Sequence, residues 1–351
     1  MNGAANPDRP DYQVALCCPA CGERSLQRVM KSNLLLPVRV PGHPFLRAYT
    51  WSDGKPRESH PLHFGVCFCP CCHYPDIEAD FRDGAGRTHD ISRTLRRFFV
   101  EQLVGWGRPL ADILGTGMES MEDPERTTRL HLAAIATQRL IYPELWRRRE
   151  IGQLYLRLAW LYLDEKHLRW DPDHPTAPPT YEIEGPGYAR MQAVLAQLEP
   201  IRAAWPEIPL DEESTRREVL KFHQEAYTRH SGTLTPEESV ADERLLAVLF
   251  GLNGDQEMAK EMFERALDSC IRLRQEATQQ QSGAWNSGLS ATETKALAIR
   301  IQRLSKSAEG IRDEMNTAFP PPKARVSALP PSRRSTTASS PKKRRIFGIF
   351  G

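Results

Sequence analysis

The sequence predicts an α+β fold that is predominantly α: a small β-rich module, then a helical domain like tetratricopeptide repeats, then a disordered basic tail. Three observations predict this order. Seven of the eight cysteines lie within residues 13–82, where prolines break up the stretch between them. Capping signals and apolar residues at helical spacing recur through residues 121–319. Residues 320–351 contain eight basic residues, no acidic residue and little apolar surface, so we expect them to be disordered.

The overall composition is that of a soluble globular protein. The 351 residues are 40% apolar and 26% charged, which suits about two domains of roughly 150 residues each. The net charge of the whole chain is +2. The tail alone contributes +8, and the remaining chain, with 39 basic and 45 acidic residues, contributes −6. This balance argues against a body that coats nucleic acid.

We expect a cytoplasmic location. Residues 1–12, predicted to be a disordered N-terminus, lack the apolar core of a secretory signal. No run of about 18 apolar residues occurs, so no membrane-spanning helix is predicted. In a reducing compartment, clustered cysteines are interpreted as metal ligands before disulfides.

Residues 13–82 are predicted to form a zinc ribbon with one structural zinc ion. Two CPxC motifs each place two thiolates on one side of a tight loop, and two such loops complete a tetrahedral site. The predicted ligands are Cys18, Cys21, Cys69 and Cys72. Four cysteines leave no open position on the metal, which disfavours a catalytic zinc. Iron remains a minor alternative, because rubredoxins use similar loops.

The residues around the two motifs fit this interpretation. Residues 12–16 and 63–66 lead into the motifs and are expected to be extended. Gly22, after the first motif, permits the positive φ that such a loop prefers. His73 stands at the equivalent position of the second motif, and histidine adopts the left-handed conformation more readily than most residues. We therefore predict the same loop at both motifs.

Other cysteines and histidines offer alternatives to the four predicted ligands. The spare cysteines of the module are Cys17, Cys67 and Cys71, and the histidines that can replace a ligand are His60, His63 and His73. Cys71 lies inside the second motif, although the CxxC spacing favours its neighbours. Cys270, far along the chain, is predicted to be a buried core thiol.

Residues 83–120 are predicted to connect the two domains. After a turn at residues 83–86, apolar side chains recur at helical spacing over residues 91–103. Four glycines between residues 105 and 117 then disfavour regular helix in the following connection. We expect one helix followed by a loop.

Local signals divide residues 121–319 into helices. A first helix is expected to start at Asp123, before Pro124, and a second is predicted to be buried on nearly all sides over residues 154–163. A proline-rich break follows at residues 171–180. Capping boxes at residues 235–238 and 290–293 predict two more helix starts. The last helix is expected to end near Phe319.

One part of the helical domain matches a tetratricopeptide unit. Small and apolar residues recur over residues 246–267 on both sides of an Asn-Gly-Asp turn. Residues 158–162 match the first helix of an earlier unit. An ordinary helical bundle remains the alternative, because a stripe at this spacing is normally core.

Together these motifs resemble the bacterial domain-of-unknown-function 2225 family. The resemblance covers about residues 13–280 and rests on the two CPxC loops, the 47-residue spacer between them, and the Leu-Arg-Leu-Ala-Trp-Leu-Tyr segment at residues 156–162. His73 replaces the usual glycine without disturbing the ligands. The family has no assigned activity, so the resemblance implies an architecture and a bacterial origin but no reaction.

The sequence favours a protein–protein interaction or scaffold protein over an enzyme. The nucleotide-binding, hydrolase and metalloprotease motifs are absent, and no small-molecule substrate is evident. The first alternative is a nucleic-acid-associated zinc-ribbon protein. Residues 13–82 carry eight basic and six acidic residues, however, and this net charge of only +2 is low for a surface that binds phosphate. The second alternative is an enzyme with an unrecognised site in the helical domain.

The tail suggests two further partners besides an unidentified protein bound by the helical domain. Residues 342–351, Lys-Lys-Arg-Arg-Ile-Phe-Gly-Ile-Phe-Gly, combine four consecutive cations with apolar side chains. Such a segment can dock weakly on an anionic membrane surface, which would make the protein peripherally membrane-associated. It can equally bind a peptide groove of a partner protein.

Overall fold

The computed structural model describes residues 11–31, 35–40, 43–51, 61–83, 97, 99–101, 107–115, 117–118, 121, 123–140, 143–145, 147–164, 168–169, 180–181, 186–230, 234–287 and 290–320. Within these ranges the protein is predominantly helical, as predicted. The chain divides into two compact units, Met1–Phe319 and Pro320–Gly351. Among the described residues, no helix is long and apolar enough to cross a membrane.

The strands form four antiparallel two-stranded sheets. The pairs are β1 (Asp11–Cys17) with β2 (Arg24–Met30), β3 (Leu35–Val40) with β4 (His43–Trp51), β5 (Val66–Phe68) with β6 (Pro75–Ile77), and β7 (Leu168–Arg169) with β8 (Thr180–Tyr181). The first six strands lie in the predicted β-rich module. β1 begins two residues before the predicted start of that module, since Asp11 pairs with Met30 and its carboxylate contacts Arg28 at 2.9 Å.

Most of the described residues after β6 are helical. The helices are α1 (Glu78–Asp83), a helical segment at residues 107–114, α2 (Asp123–Gln138), α3 (Arg148–Asp164), α4 (Pro186–Leu198), α5 (Glu212–His230), α6 (Pro236–Leu252), α7 (Gln256–Ser287) and α8 (Ala291–Ala318). Short 3₁₀ turns lie at residues 61–63, 143–145 and 199–203. The most extensive helix pairs are α3 with α5, α6 with α7 and α7 with α8.

The predicted helix boundaries are confirmed where local signals define them. α2 begins at Asp123. At the start of α6 the Thr235 hydroxyl accepts a hydrogen bond from the Glu238 amide, and the Glu238 carboxylate accepts one from the Thr235 amide. The same reciprocal bonds join Ser290 and Glu293 before α8. Each box satisfies backbone donors that a helix start leaves without partners.

The core lies chiefly between the long helices. α3 is buried along most of its length, as predicted, and the Tyr155 ring stacks on Phe222 of α5 with centroids 5.4 Å apart. α6 and α7 join through the predicted turn, in which Gly254 has a φ of 90°. α8 ends at the Phe319 cap, near the predicted position, and the Phe319 ring contacts Phe263.

Several predictions fall partly or wholly outside the described residues. The helix expected within residues 91–103 is described only at positions 97 and 99–101, which are helical. Residues 171–179 of the proline-rich break, residues 1–10 and residues 321–351 are not among those described. The predicted domain boundaries stay predictions.

Candidate metal centre

The first cysteine loop (residues 18–22) joins β1 to β2. The Gly22 amide donates to the Cys18 carbonyl at 2.9 Å, and the Cys18 amide donates to the Glu23 carbonyl at 2.8 Å. Gly22 has a φ of 79°, which glycine adopts without a steric penalty. These bonds hold the backbone in a tight turn and bring the two cysteine side chains to one side of it.

The second cysteine loop (residues 69–73) joins β5 to β6 and repeats the first bond for bond. The His73 amide donates to the Cys69 carbonyl at 2.9 Å, and the Cys69 amide donates to the Tyr74 carbonyl at 2.9 Å. His73 has a φ of 63° and is the sole non-glycine residue with positive φ among the described residues. The predicted left-handed conformations of Gly22 and His73 are both confirmed.

The two loops face each other and bring four sulfur atoms together. Sγ of Cys18 lies 3.7 Å from Sγ of Cys72, and Sγ of Cys21 lies 3.5 Å from Sγ of Cys69. All four sulfurs lie within 4.8 Å of one another. A tetrahedral ion with metal–sulfur bonds of about 2.3 Å needs sulfur–sulfur edges of about 3.8 Å. The cluster can therefore hold a metal ion, and its dimensions are consistent with zinc.

The electrostatics of the cluster favour a bound cation. The hydrogen bond from Cys72 lowers the pKa of the Cys18 thiol to about 5. The same contact raises the pKa of Cys72, and burial raises the pKa of Cys69 to about 11. One thiolate thus opposes ionisation of its neighbours, because like charges at this distance repel. A divalent ion removes that conflict by neutralising the thiolates together.

The other described cysteines and histidines of the module lie outside the cluster. None of the eight cysteines forms a disulfide. Cys67 is buried in β5 opposite Asp76, Cys17 donates from Sγ to the Gly22 carbonyl at 3.3 Å, and Cys71 is exposed. Among the described residues, the four predicted cysteines are the one group of three or more potential ligands close enough to share an ion. His60 lies outside the described residues.

A glutamine that sequence reasoning did not single out ties the two loops together. The Gln27 side chain, on β2 and only 6% exposed, donates to the Phe68 carbonyl at 2.8 Å and accepts from the Phe68 amide at 3.2 Å. The Gln27 side-chain amide thus pairs with both backbone groups of Phe68 on β5, as the backbone of a neighbouring strand would. The sequence gives only a weak indication of this role, because Gln27 appears there simply as a long polar residue between Leu26 and Arg28 on a strand.

A buried polar network joins the second loop to the helices. The Asp76 carboxylate, 1% exposed, accepts hydrogen bonds from the Tyr74 hydroxyl at 2.6 Å and the Gln138 side chain at 2.9 Å. Burial, and then the nearby Asp80, raise the pKa of Asp76 to about 7. Arg147 lies in front of α3 and contacts Asp80 at 2.6 Å. The cysteine module is therefore packed on α2 and α3 through charged and polar groups.

A second contact between the cysteine module and α3 lies directly before β5. Arg157 of α3 donates from Nη1 to the Phe64 carbonyl at 3.2 Å. Gly65 has a φ of 100°, and a Cβ placed on it would lie 1.8 Å from Arg157 Nη1. This position therefore needs glycine both for its backbone conformation and for the approach of Arg157.

Comparisons of this chain with known proteins found no relative. No family model matches the chain, and searches of the curated proteins and of the solved structures return no match. The resemblance to the domain-of-unknown-function 2225 family therefore stays a prediction from the sequence motifs.

Proposed function

We propose that this chain is a zinc-binding protein–protein interaction or scaffold protein in which zinc has a purely structural role. The observation that carries the metal assignment is the group of four sulfurs within 4.8 Å of one another. Two equivalent loops on two hairpins support the interpretation of residues 13–82 as a zinc ribbon. Four thiolates fill a tetrahedral shell, which leaves no position for a substrate. A reducing cytoplasm would keep these thiols available.

The proposed interaction role depends on the helical part of the chain. α3 packs on α5, α6 packs on α7, and α7 packs on α8. Such a series supports the interpretation as tetratricopeptide-like packing, whose open helix faces commonly bind other proteins. A module of about 70 residues with many prolines gains its stability from the metal and from the helices behind it. The bound partner is expected to be a protein.

Metal content tests the first half of this proposal. We would measure zinc and iron per chain by mass spectrometry of reduced, purified protein, with the Cys18→Ser/Cys69→Ser variant beside it. About one zinc per wild-type chain, lost in the variant, is expected. Iron in place of zinc would change the cofactor, and a metal-free soluble wild type would overturn the assignment.

A quantitative pull-down tests the second half. The full chain, a full chain with residues 342–345 changed to glutamine, and the Cys18→Ser/Cys69→Ser variant would serve as baits. A partner enriched by the first two baits, and then shown to bind the purified chain at a defined stoichiometry, supports an interaction through the folded body. A partner lost with the basic residues assigns the interaction to the tail. The absence of any stoichiometric protein partner contradicts the proposed role.

A further inference from the structure

The two cysteine loops leave one proposed metal ligand and one spare thiol open to solvent. The structure describes all eight cysteines, and of these Cys21 and Cys71 alone are exposed. Cys21 belongs to the group that can hold an ion, and Cys71 does not. The other members of that group are Cys18 and Cys69, which are buried, and Cys72, which is half-buried. A small solute therefore reaches the sulfur cluster first at Cys21.

Contacts between the two loops bring the exposed cysteines close together. Sγ of Cys21 lies 3.5 Å from Sγ of Cys69. The backbone amide of Cys71 bonds in turn to the Cys69 thiol, just as the Ala20 amide bonds to Cys18 at 3.3 Å in the first loop. Cys21 is also the largest electrostatic influence on the Cys71 thiol. Cys71 is thus a neighbour of Cys21 across the site, although the two belong to different loops.

We propose that Cys21 and Cys71 form a reversible disulfide when a peroxide oxidises the protein, and that this disulfide releases the bound metal. The inference rests on the proposed structural metal, because it treats Cys21 as a ligand. It gives a role to Cys71, a thiol that the metal site leaves unused. Disulfides in a reducing cytoplasm are usually transient and often sense oxidants, which suits a pair of exposed thiols.

The proposed reaction consumes one peroxide and two cysteines. The Cys21 thiolate attacks one oxygen of hydrogen peroxide and the O–O bond breaks, giving a sulfenic acid and a hydroxide that solvent protonates to water. The Cys71 sulfur then attacks the sulfenic sulfur, whose S–O bond breaks. The leaving hydroxide takes the Cys71 proton and becomes a second water. Each sulfur is oxidised by one electron, and the peroxide is reduced by two.

Formation of this disulfide removes one ligand from the tetrahedral shell. A thiolate, and not a disulfide sulfur, binds the metal, so three cysteines would remain where a closed structural site needs four ligands. Because metal binding contributes to folding, the cysteine module also loses stability when the metal leaves. Reduction by a thiol restores Cys21, and with it the complete set of ligands.

Two other cysteines compete with Cys71 for the oxidised Cys21. The Cys69 sulfur is the nearer one, but it is fully buried and is itself a proposed ligand, so the metal occupies it. Cys17 is half-buried, and its Sγ donates to the Gly22 carbonyl at 3.3 Å within the first loop. Cys71 is both exposed and outside the ligand group, which makes it the thiol available for the second step.

The test uses the full, metal-bound chain, freed of reductant and exposed to a slight excess of hydrogen peroxide. Free thiols would be alkylated, and disulfides and sulfur oxidation located by peptide mass spectrometry. A colorimetric chelator would measure metal release, and rebinding would be measured after dithiothreitol is added. The variants are Cys71→Ser and, as the matched control, Cys17→Ser, which removes the other partly exposed spare thiol.

We expect wild type and Cys17→Ser to form the disulfide between Cys21 and Cys71, to lose their metal, and to rebind most of it after reduction. Without its partner thiol, Cys21 in Cys71→Ser should proceed to the sulfinic acid, which dithiothreitol does not reduce. After reduction, Cys71→Ser should therefore recover at least about three-fold less metal than the control.

Several results would overturn the inference. These are a wild-type disulfide between Cys21 and Cys69, equal metal recovery by Cys71→Ser and Cys17→Ser, and a wild type that keeps its metal with Cys21 reduced. Metal content before oxidation separates this inference from the proposed function on which it rests. A chain without metal at that stage overturns both, whereas a metal-bound chain that forms no disulfide between Cys21 and Cys71 overturns the redox role alone.

Discussion

The buried Asp76 carboxylate accepts a hydrogen bond from the Gln138 side chain at 2.9 Å, which links the second cysteine loop to the last residue of α2. The same carboxylate accepts bonds from the Tyr74 hydroxyl and the Ile77 amide. Its charged neighbours are Asp80, which opposes its ionisation, and Arg147, which favours it. Desolvation is the largest of these effects, so the folded protein holds the Asp76 proton more tightly than the unfolded chain does.

Asp76 should therefore make stability fall as pH rises. Its pKa is about 7 in the folded protein against 3.8 for an ordinary aspartate. Below pH 3.8 both states are protonated, and between 3.8 and about 7 the unfolded state alone releases the proton. The resulting loss, on the order of a few kcal/mol, is complete above about pH 7.

We would test this with Asp76→Asn, which cannot ionise and whose side-chain oxygen can still accept from the Gln138 side chain and the Ile77 amide. Urea unfolding at about pH 5 and about pH 8 should show the variant gaining stability relative to wild type at the higher pH. The Cys18 thiol, whose pKa is about 5, also titrates near the lower pH, but its contribution is common to both proteins and cancels in the difference. A difference between the two proteins that does not change with pH would contradict the assignment.

The adjacent residues Cys71 and Cys72 of the second loop provide a matched pair of substitutions that tests the metal site. Cys72→Ser removes one of the four proposed ligands, and Cys71→Ser removes an exposed thiol outside the group that can hold an ion. We expect Cys71→Ser to keep one metal per chain and the wild-type melting temperature. Cys72→Ser should release its metal to a chelator far more readily, with a large loss of stability, since a structural zinc contributes about 10 kcal/mol or more. Metal loss in Cys71→Ser would show that the loop uses another set of ligands.

Gln27 should contribute to stability through its two bonds to the Phe68 backbone. Gln27→Ala leaves the partly buried amide and carbonyl of Phe68 without these partners, at a cost of about 1–3 kcal/mol. Gln13, on the neighbouring strand β1, is exposed and serves as the control, with an expected change within about 0.5 kcal/mol for Gln13→Ala. Chemical unfolding of the metal-bound proteins measures both. Equal effects of the two substitutions would show that the bridge between the hairpins adds nothing.

These relationships show what a single sequence can and cannot predict here. The four cysteines that can hold a metal ion and the helix caps follow from residues three positions apart, so local chemistry is sufficient to single them out. His73 was recognisable because it stands where the equivalent loop has Gly22. Gln27 and Phe68 are 41 residues apart, and Asp76 and Gln138 are 62 apart. A buried aspartate and an exposed one look alike in sequence, and their partners emerge only once the hairpins pack on α2.

Gly65 offers a last test of how the cysteine module meets α3. Gly65→Ala forces a side chain into a φ of 100° and toward Arg157, whose Nη1 would lie 1.8 Å from the new Cβ. We expect a loss of about 2–3 kcal/mol, because the backbone strain alone costs about 1–3 kcal/mol. Gly283→Ala is the control: its Cβ would meet nothing within 4 Å on a helix, where alanine is favoured by about 0.5–1 kcal/mol.

A double-mutant cycle with Arg157→Ala separates the two causes of the Gly65→Ala loss. If the close approach of the guanidinium contributes, the cost of Gly65→Ala will shrink when Arg157 is already truncated. If the positive φ alone is responsible, the cost will be the same in both backgrounds. A Gly65→Ala protein as stable as wild type would contradict the conformation of this loop, and with it the contact that positions β5 and the second cysteine loop against α3.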